Sequence, residues 1–131
     1  MAEALLERVV PARFPEVGPL RRATNEFVHN DASQRFRDSL LLVVSELCTN
    51  AIEALDNENA EFTLRVRDLP DRVEIEVEDS GPGFALAFGK PGADESNPRG
   101  RGLLVVRSLV DELSVRRRKG KTTVHCVLCR S

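Results

Sequence analysis

Residues 73–83 constrain the fold more than any other stretch. Val73, Ile75 and Val77 occupy alternate positions with glutamates between them, the period of a half-buried strand. Asp79 continues the apolar parity, and Ser80-Gly81-Pro82-Gly83 then breaks the run. A strand that reaches Asp79 aims a carboxylate the way its buried side chains point, at the end of a sheet. Such a group is costly unless something hydrogen-bonds it, a ligand amine or a buried water for example. Asp79 and Ser80 are also common turn-opening residues. Taken alone, the stretch leaves both readings open.

The rest of the chain fits around this strand. Residues 5–14, with Val9, Val10 and Phe14, read as a strand, and Pro15 to Pro19 reads as a loop. Leu20, Ala23, Phe27 and Val28 recur at helical spacing. Ser33 is placed to cap a long helix over about 34–56, with Phe36, Leu40, Val44, Leu47, Ala51 and Leu55 in one stripe. Phe62, Leu64 and Val66 alternate next, and Asp68-Leu69-Pro70-Asp71 turns them into the 73–79 strand as an antiparallel hairpin. Residues 84–100 lack periodicity, and a loop of that length in a compact domain is often a lid. Helical spacing resumes at Gly102, and a second hairpin turns at Lys119-Gly120-Lys121. Paired hairpins with segregated helices predict a single-domain α+β sandwich, a mixed, mostly antiparallel sheet with helices on one face.

At 131 residues the chain can bury a core without disulfides or a structural metal. Its net charge of −2 and its lack of tryptophan and tyrosine argue against nucleic-acid binding. The basic run Arg116–Lys119 reads as a solvated hairpin tip. No apolar run is long enough for a membrane span, and the first residues lack a signal peptide's layout. Cys48 and Cys126 read as small core residues in a reducing compartment. Cys126 and Cys129 have opposite strand parity, which argues against a shared metal or disulfide.

Two further patterns bear on chemistry. Glu46 and Asn50 are four apart, about one turn from each other on one face of the long helix. That face lies about 140° (Glu46) and about 100° (Asn50) from the apolar stripe, so it suits plain solvent surface. An acid beside an amide also suits a metal–phosphate site: the amide oxygen joins a magnesium shell, and the carboxylate accepts a proton from an attacking hydroxyl. Second, Gly100 and Gly102 stand where the long loop meets the next helix, letting backbone approach a ligand closely, with helix-start N–H groups that favour phosphate.

Glu46-x-x-x-Asn50, then Asp79-x-Gly81-x-Gly83, then Gly100-x-Gly102 resemble, in that order, the N, G1 and G2 boxes of the GHKL (histidine kinase-like) ATPase superfamily. Within it, residues 44–51 and 100–106, with Asp111-Glu112-Leu113, are similar to bacterial anti-sigma factor serine/threonine kinases. The resemblance implies the GHKL ATPase fold and an ATP- and Mg²⁺-dependent enzyme. It implies Glu46 as general base, Asn50 as magnesium ligand and Asp79 as acceptor for the adenine amino group. It implies that Gly81 and Gly83 shape the pocket, that Gly100 and Gly102 hold the phosphate end of a lid over about 84–100, and that Thr123 supports the adenine site. Arg99 or Arg101 could reach the phosphates. The implied partners are an anti-anti-sigma factor of the STAS type as substrate and a sigma factor, with a cytoplasmic location and a capacity to dimerise. Ala85 and Glu53 depart from the family pattern. A non-enzymatic nucleotide-gated anti-sigma module and a detached histidine-kinase ATPase domain are the alternatives. The second has only His29 and His125 to draw on.

Overall fold

The alternating residues 61–79 build the centre of a sheet in the computed structural model, which describes residues 4–28, 32–80 and 98–130. Strands β2 (Glu61–Asp68) and β3 (Arg72–Asp79) pair antiparallel, with Leu64 opposite Val77 and Val66 opposite Ile75. Strand β1 (Ala4–Pro11) pairs with the free edge of β2. Strand β5 (Lys121–Cys129) lies on the other side of β3 and pairs in turn with β4 (Glu112–Arg118). The strand order is β1-β2-β3-β5-β4 and every pairing is antiparallel. The sheet expected to be mixed is therefore wholly antiparallel among the described residues.

At the β4–β5 turn, Lys119 (φ 54°) and Gly120 (φ 77°) both take positive φ. A two-residue hairpin with that geometry matches the twist of its strands. Glycine takes it without a Cβ penalty.

One sheet face carries the core. Phe62, Leu64, Val66, Val73, Ile75, Val77, Val124, Cys126 and Leu128 are buried there. Helices α1 (Val17–Phe27), α2 (Gln34–Leu55) and α3 (Pro98–Leu109) supply the second layer, with α2 packed against both other helices and against β2 and β3. Ser33 caps α2 as its position predicts, its Oγ accepting from Phe36 N at 3.1 Å. Asp56, at φ 46°, ends the helix, and its N–H donates to Ile52 O.

Boundaries differ from the sequence reading at prolines, and the strand expected over 5–14 already stops at Pro11, with Phe14 in the turn that follows. Residues 15–19 are helical, a 3-10 turn (Phe14–Glu16) running into α1 at Val17. Pro15 and Pro19 fall in first turns, where a missing N–H has no helical partner to lose. Likewise α3 begins at Pro98 rather than Gly102.

The other sheet face is charged. Arg65 bridges Glu7 at 2.7 Å and Glu78 at 3.1 Å, and Arg72 and His125 approach Glu74 at 2.7 and 3.1 Å. Cys126 is buried and Cys129 exposed, so the C-x-x-C pair is divided by strand parity. Burial pushes the Cys48 and Cys126 thiols up to about 12, which makes them poor nucleophiles. Among the described residues no helix is long and apolar enough to cross a membrane.

Candidate active site

Strand β3 runs through Asp79, and its carboxylate shares the face of Val73, Ile75 and Val77, only 7 % exposed. Its partner in the register is Thr122 on β5, which is 1 % exposed. Thr123 pairs instead with Glu78, on the charged face. The structure therefore does not bring Thr123 to Asp79. It brings Thr122, which sequence reasoning missed. The signal was present in the parity, because Thr122 is in step with Val124, Cys126 and Leu128 and Thr123 is not. Thr122 Oγ1 accepts a hydrogen bond from Arg117 Nη1 at 2.8 Å, so the supposed solvated hairpin tip reaches this buried row.

The second half of the site is built on α2. Asn50 is 4 % exposed and Glu46 is half-buried. Helical geometry alone allowed this face to be solvent surface, but α3 packs against α2 and covers it. The point of closest approach is Gly102, itself buried. A Cβ there would stand 2.8 Å from Glu46 Oε2 and 3.4 Å from Asn50 Oδ1, so with any larger residue opposite it the Glu46 carboxylate would have to shift from this position.

Asn50 Nδ2 is fully buried and has no hydrogen-bond partner among the described residues. A buried polar group left unanswered costs about 1–3 kcal/mol, and such exceptions in native proteins call for an explanation. A ligand rich in oxygen, brought between α2 and α3, would supply the missing acceptor. With the amide oxygen available to a hard cation and a carboxylate one turn away, this donor set fits magnesium and phosphate.

Gly100 lies in the first turn of α3, where backbone N–H groups lack helical partners. Gly102 sits deeper in the helix, so its contribution is close approach rather than a free N–H. Gly81, Gly83, the expected lid through residue 97, and the side chains of Arg99 and Arg101 lie outside the described residues. Glu53 is half-buried and lines an open cleft of about 440 Å³ with Arg13, Phe14 and Asp56 at the end of α2.

A model of the histidine kinase-like ATPase domain matches residues 10–128. The chain belongs to that family. This histidine kinase-like ATPase domain is 32 % identical over 130 residues to serine-protein kinase RsbW of Bacillus velezensis, a match that spans 89 % of the chain and 81 % of the relative. The same kinase of Bacillus subtilis is 30 % identical with equal coverage. Among solved structures, the RsbU and RsbW domains of Rv1364c from Mycobacterium tuberculosis superpose with a TM-score of 0.68 at 16 % identity, over 95 % of this chain and 32 % of that one. The catalytic domain of histidine kinase ThkA superposes with a TM-score of 0.60 at 18 % identity, over 99 % of this chain and 97 % of that one. At such identities these structures establish the fold, the GHKL sandwich expected from the boxes.

Proposed function

We propose that this histidine kinase-like ATPase domain is a cytoplasmic, Mg²⁺- and ATP-dependent protein serine/threonine kinase. Its substrate is an anti-anti-sigma factor of the STAS type, and it sequesters a sigma factor when that substrate is absent or phosphorylated. The observation that carries the reading is the unanswered Asn50 amide, buried beside Glu46 under the start of α3. The Bacillus relatives are named as serine-protein kinases, which supports the protein-kinase class.

Mg-ATP would supply the phosphoryl group and the positive charge that offsets negative charge in transfer. Asn50 would hold the ion through its amide oxygen, and Asp79 would accept from the adenine amine. Transfer of the γ-phosphoryl group to the target hydroxyl, with ADP as the leaving group, would release the hydroxyl proton, and Glu46 would take it.

The test is incubation of the protein with Mg²⁺, labelled ATP and the STAS-type proteins of its own source. Acid-stable phosphoserine or phosphothreonine on one of them, lost in Glu46→Ala with nucleotide and sigma-factor binding retained, supports the kinase. Phosphorylation that never occurs while nucleotide still gates sigma binding would make it a non-enzymatic module. Acid-labile phosphohistidine would make it a detached histidine-kinase domain.

A further inference from the structure

Asp79, Thr122 and Arg117 form one row across β3, β5 and β4, each directly opposite the next in the register. Adjacent strands lie about 4.8 Å apart, so the row is an acid, a hydroxyl and a guanidinium about 10 Å from end to end. Arg117 is exposed on an edge strand, yet its Nη1 lies 2.8 Å from the buried Thr122 Oγ1. A guanidinium has only donors, so the threonine oxygen must accept. A hydroxyl has one proton and two acceptor sites, so with Arg117 filling one acceptor site from the β4 side the proton is left to be donated elsewhere.

We propose that Arg117 is a positioning residue for base selection, holding the Thr122 hydroxyl as a donor beside the acceptor Asp79. This rests on reading the row as the base end of a nucleotide site. The consequence follows from the edges of the purines. Adenine presents an amine donor at C6 and an acceptor at N1, complementary to an acceptor–donor pair. Guanine presents the reverse, a carbonyl acceptor at C6 and a donor at N1. A hydroxyl free to rotate could serve either base. One with an acceptor site already filled by Arg117 is biased toward donating, and that bias favours adenine. The guanidinium also adds positive charge near the site, but charge acts on phosphates, which ATP and GTP share.

That difference sets the experiment: dissociation constants of Mg-ATP and Mg-GTP for the full chain, Arg117→Met, Arg117→Lys, Thr122→Val and the double variant Arg117→Met/Thr122→Val. Loss of one hydrogen bond's worth of orientation is expected to cut the ATP-over-GTP preference about three- to tenfold in Arg117→Met, mainly by weakening ATP. Arg117→Lys, which restores a donor, should keep most of the preference. Arg117→Met should add nothing once Thr122 is valine. Equal weakening of ATP and GTP would reduce Arg117 to a charge and overturn the proposal, as would a full Arg117→Met effect in the Thr122→Val background. If the unaltered chain binds neither nucleotide, the ATP-site reading itself falls and takes this one with it. That outcome is distinct from a preference that survives Arg117→Met.

Discussion

A methyl group on Gly102 would stand 2.8 Å from Glu46 Oε2, nearer than a real carbon approaches a carboxylate oxygen. The obstacle is the far end of a flexible side chain and not backbone, so it can move aside. Gly102 lies inside α3, where alanine is better than glycine by about 0.5–1 kcal/mol. If Glu46 is the base proposed above, stability and chemistry are set against each other at one atom.

Gly102→Ala is expected to keep or slightly raise the melting temperature while displacing Glu46. Misplacement of a catalytic group by about 1 Å costs on the order of 100-fold in rate. Single-turnover phosphorylation should fall by about that factor, with ATP affinity reduced far less. Unchanged turnover with a raised melting temperature would show that Glu46 does not act at the position seen here.

Asp79→Asn keeps the shape of a buried side chain and removes its charge and half of its acceptor capacity. Hydrogen bonds to charged groups contribute about 1.5–3 kcal/mol, so ATP affinity should drop roughly ten- to a hundredfold by calorimetry. The fold, read by circular dichroism, should persist because the β3–β5 pairing at Asp79 and Thr122 is made by backbone. An unaltered affinity would return Asp79 to the role of a residue that merely ends a strand.

The inward aim of Asp79 was legible in the sequence because strand parity is strict: Val73, Ile75 and Val77 fix the face, and a slip of one residue would turn all of them out. The helix α2 was legible from its stripe and its Ser33 cap. The burial of Asn50 was not, because a helix wheel reports only the face that its own apolar residues define. What covers Asn50 is α3, more than 40 residues further along, and the contact is made by a glycine, which carries no hydrophobic signal. Thr122 could have been found by counting back from Val124. Arg117 could not, since its hydrogen bond depends on a cross-strand register that charge patterning does not encode.

The far end of the sheet predicts a stability effect without a functional one. Arg130 pairs with the Asp68 carboxylate, whose side chain is 4 % exposed, donates to Leu69 O at 3.2 Å and lies 5.6 Å from the Phe36 ring centre. Arg130→Met would remove one charged partner of a nearly buried carboxylate, and breaking such a pair from one side costs up to about 3 kcal/mol. The urea midpoint should fall accordingly. ATP affinity should stay within about twofold, because Val73, opposite Asp68, is about 20 Å along β3 from Asp79. A matching loss of nucleotide binding would show that the two ends of the sheet are coupled.

The charged face predicts a pH dependence. Burial pushes the Glu74 carboxyl up and is the largest single influence, but the hydrogen bonds and the charges of Arg72 and His125 together outweigh it and hold the group below its ordinary range. With the folded value below the unfolded one of about 4.3, the unfolded chain binds the proton more readily, so acid favours unfolding. The contribution of Glu74 is therefore complete above the unfolded value and is lost as pH falls through the folded one. Glu74→Gln, which cannot ionise, should be less stable than the unaltered chain at neutral pH. Urea titrations carried down from pH 6 should show that gap closing through the carboxylate range, while Arg72→Met, lacking the nearer donor at 2.7 Å, should weaken the same dependence. A gap that stays constant down to about pH 3 would mean that Glu74 stabilises the sheet by packing and hydrogen bonding alone, with no charge of its own at stake.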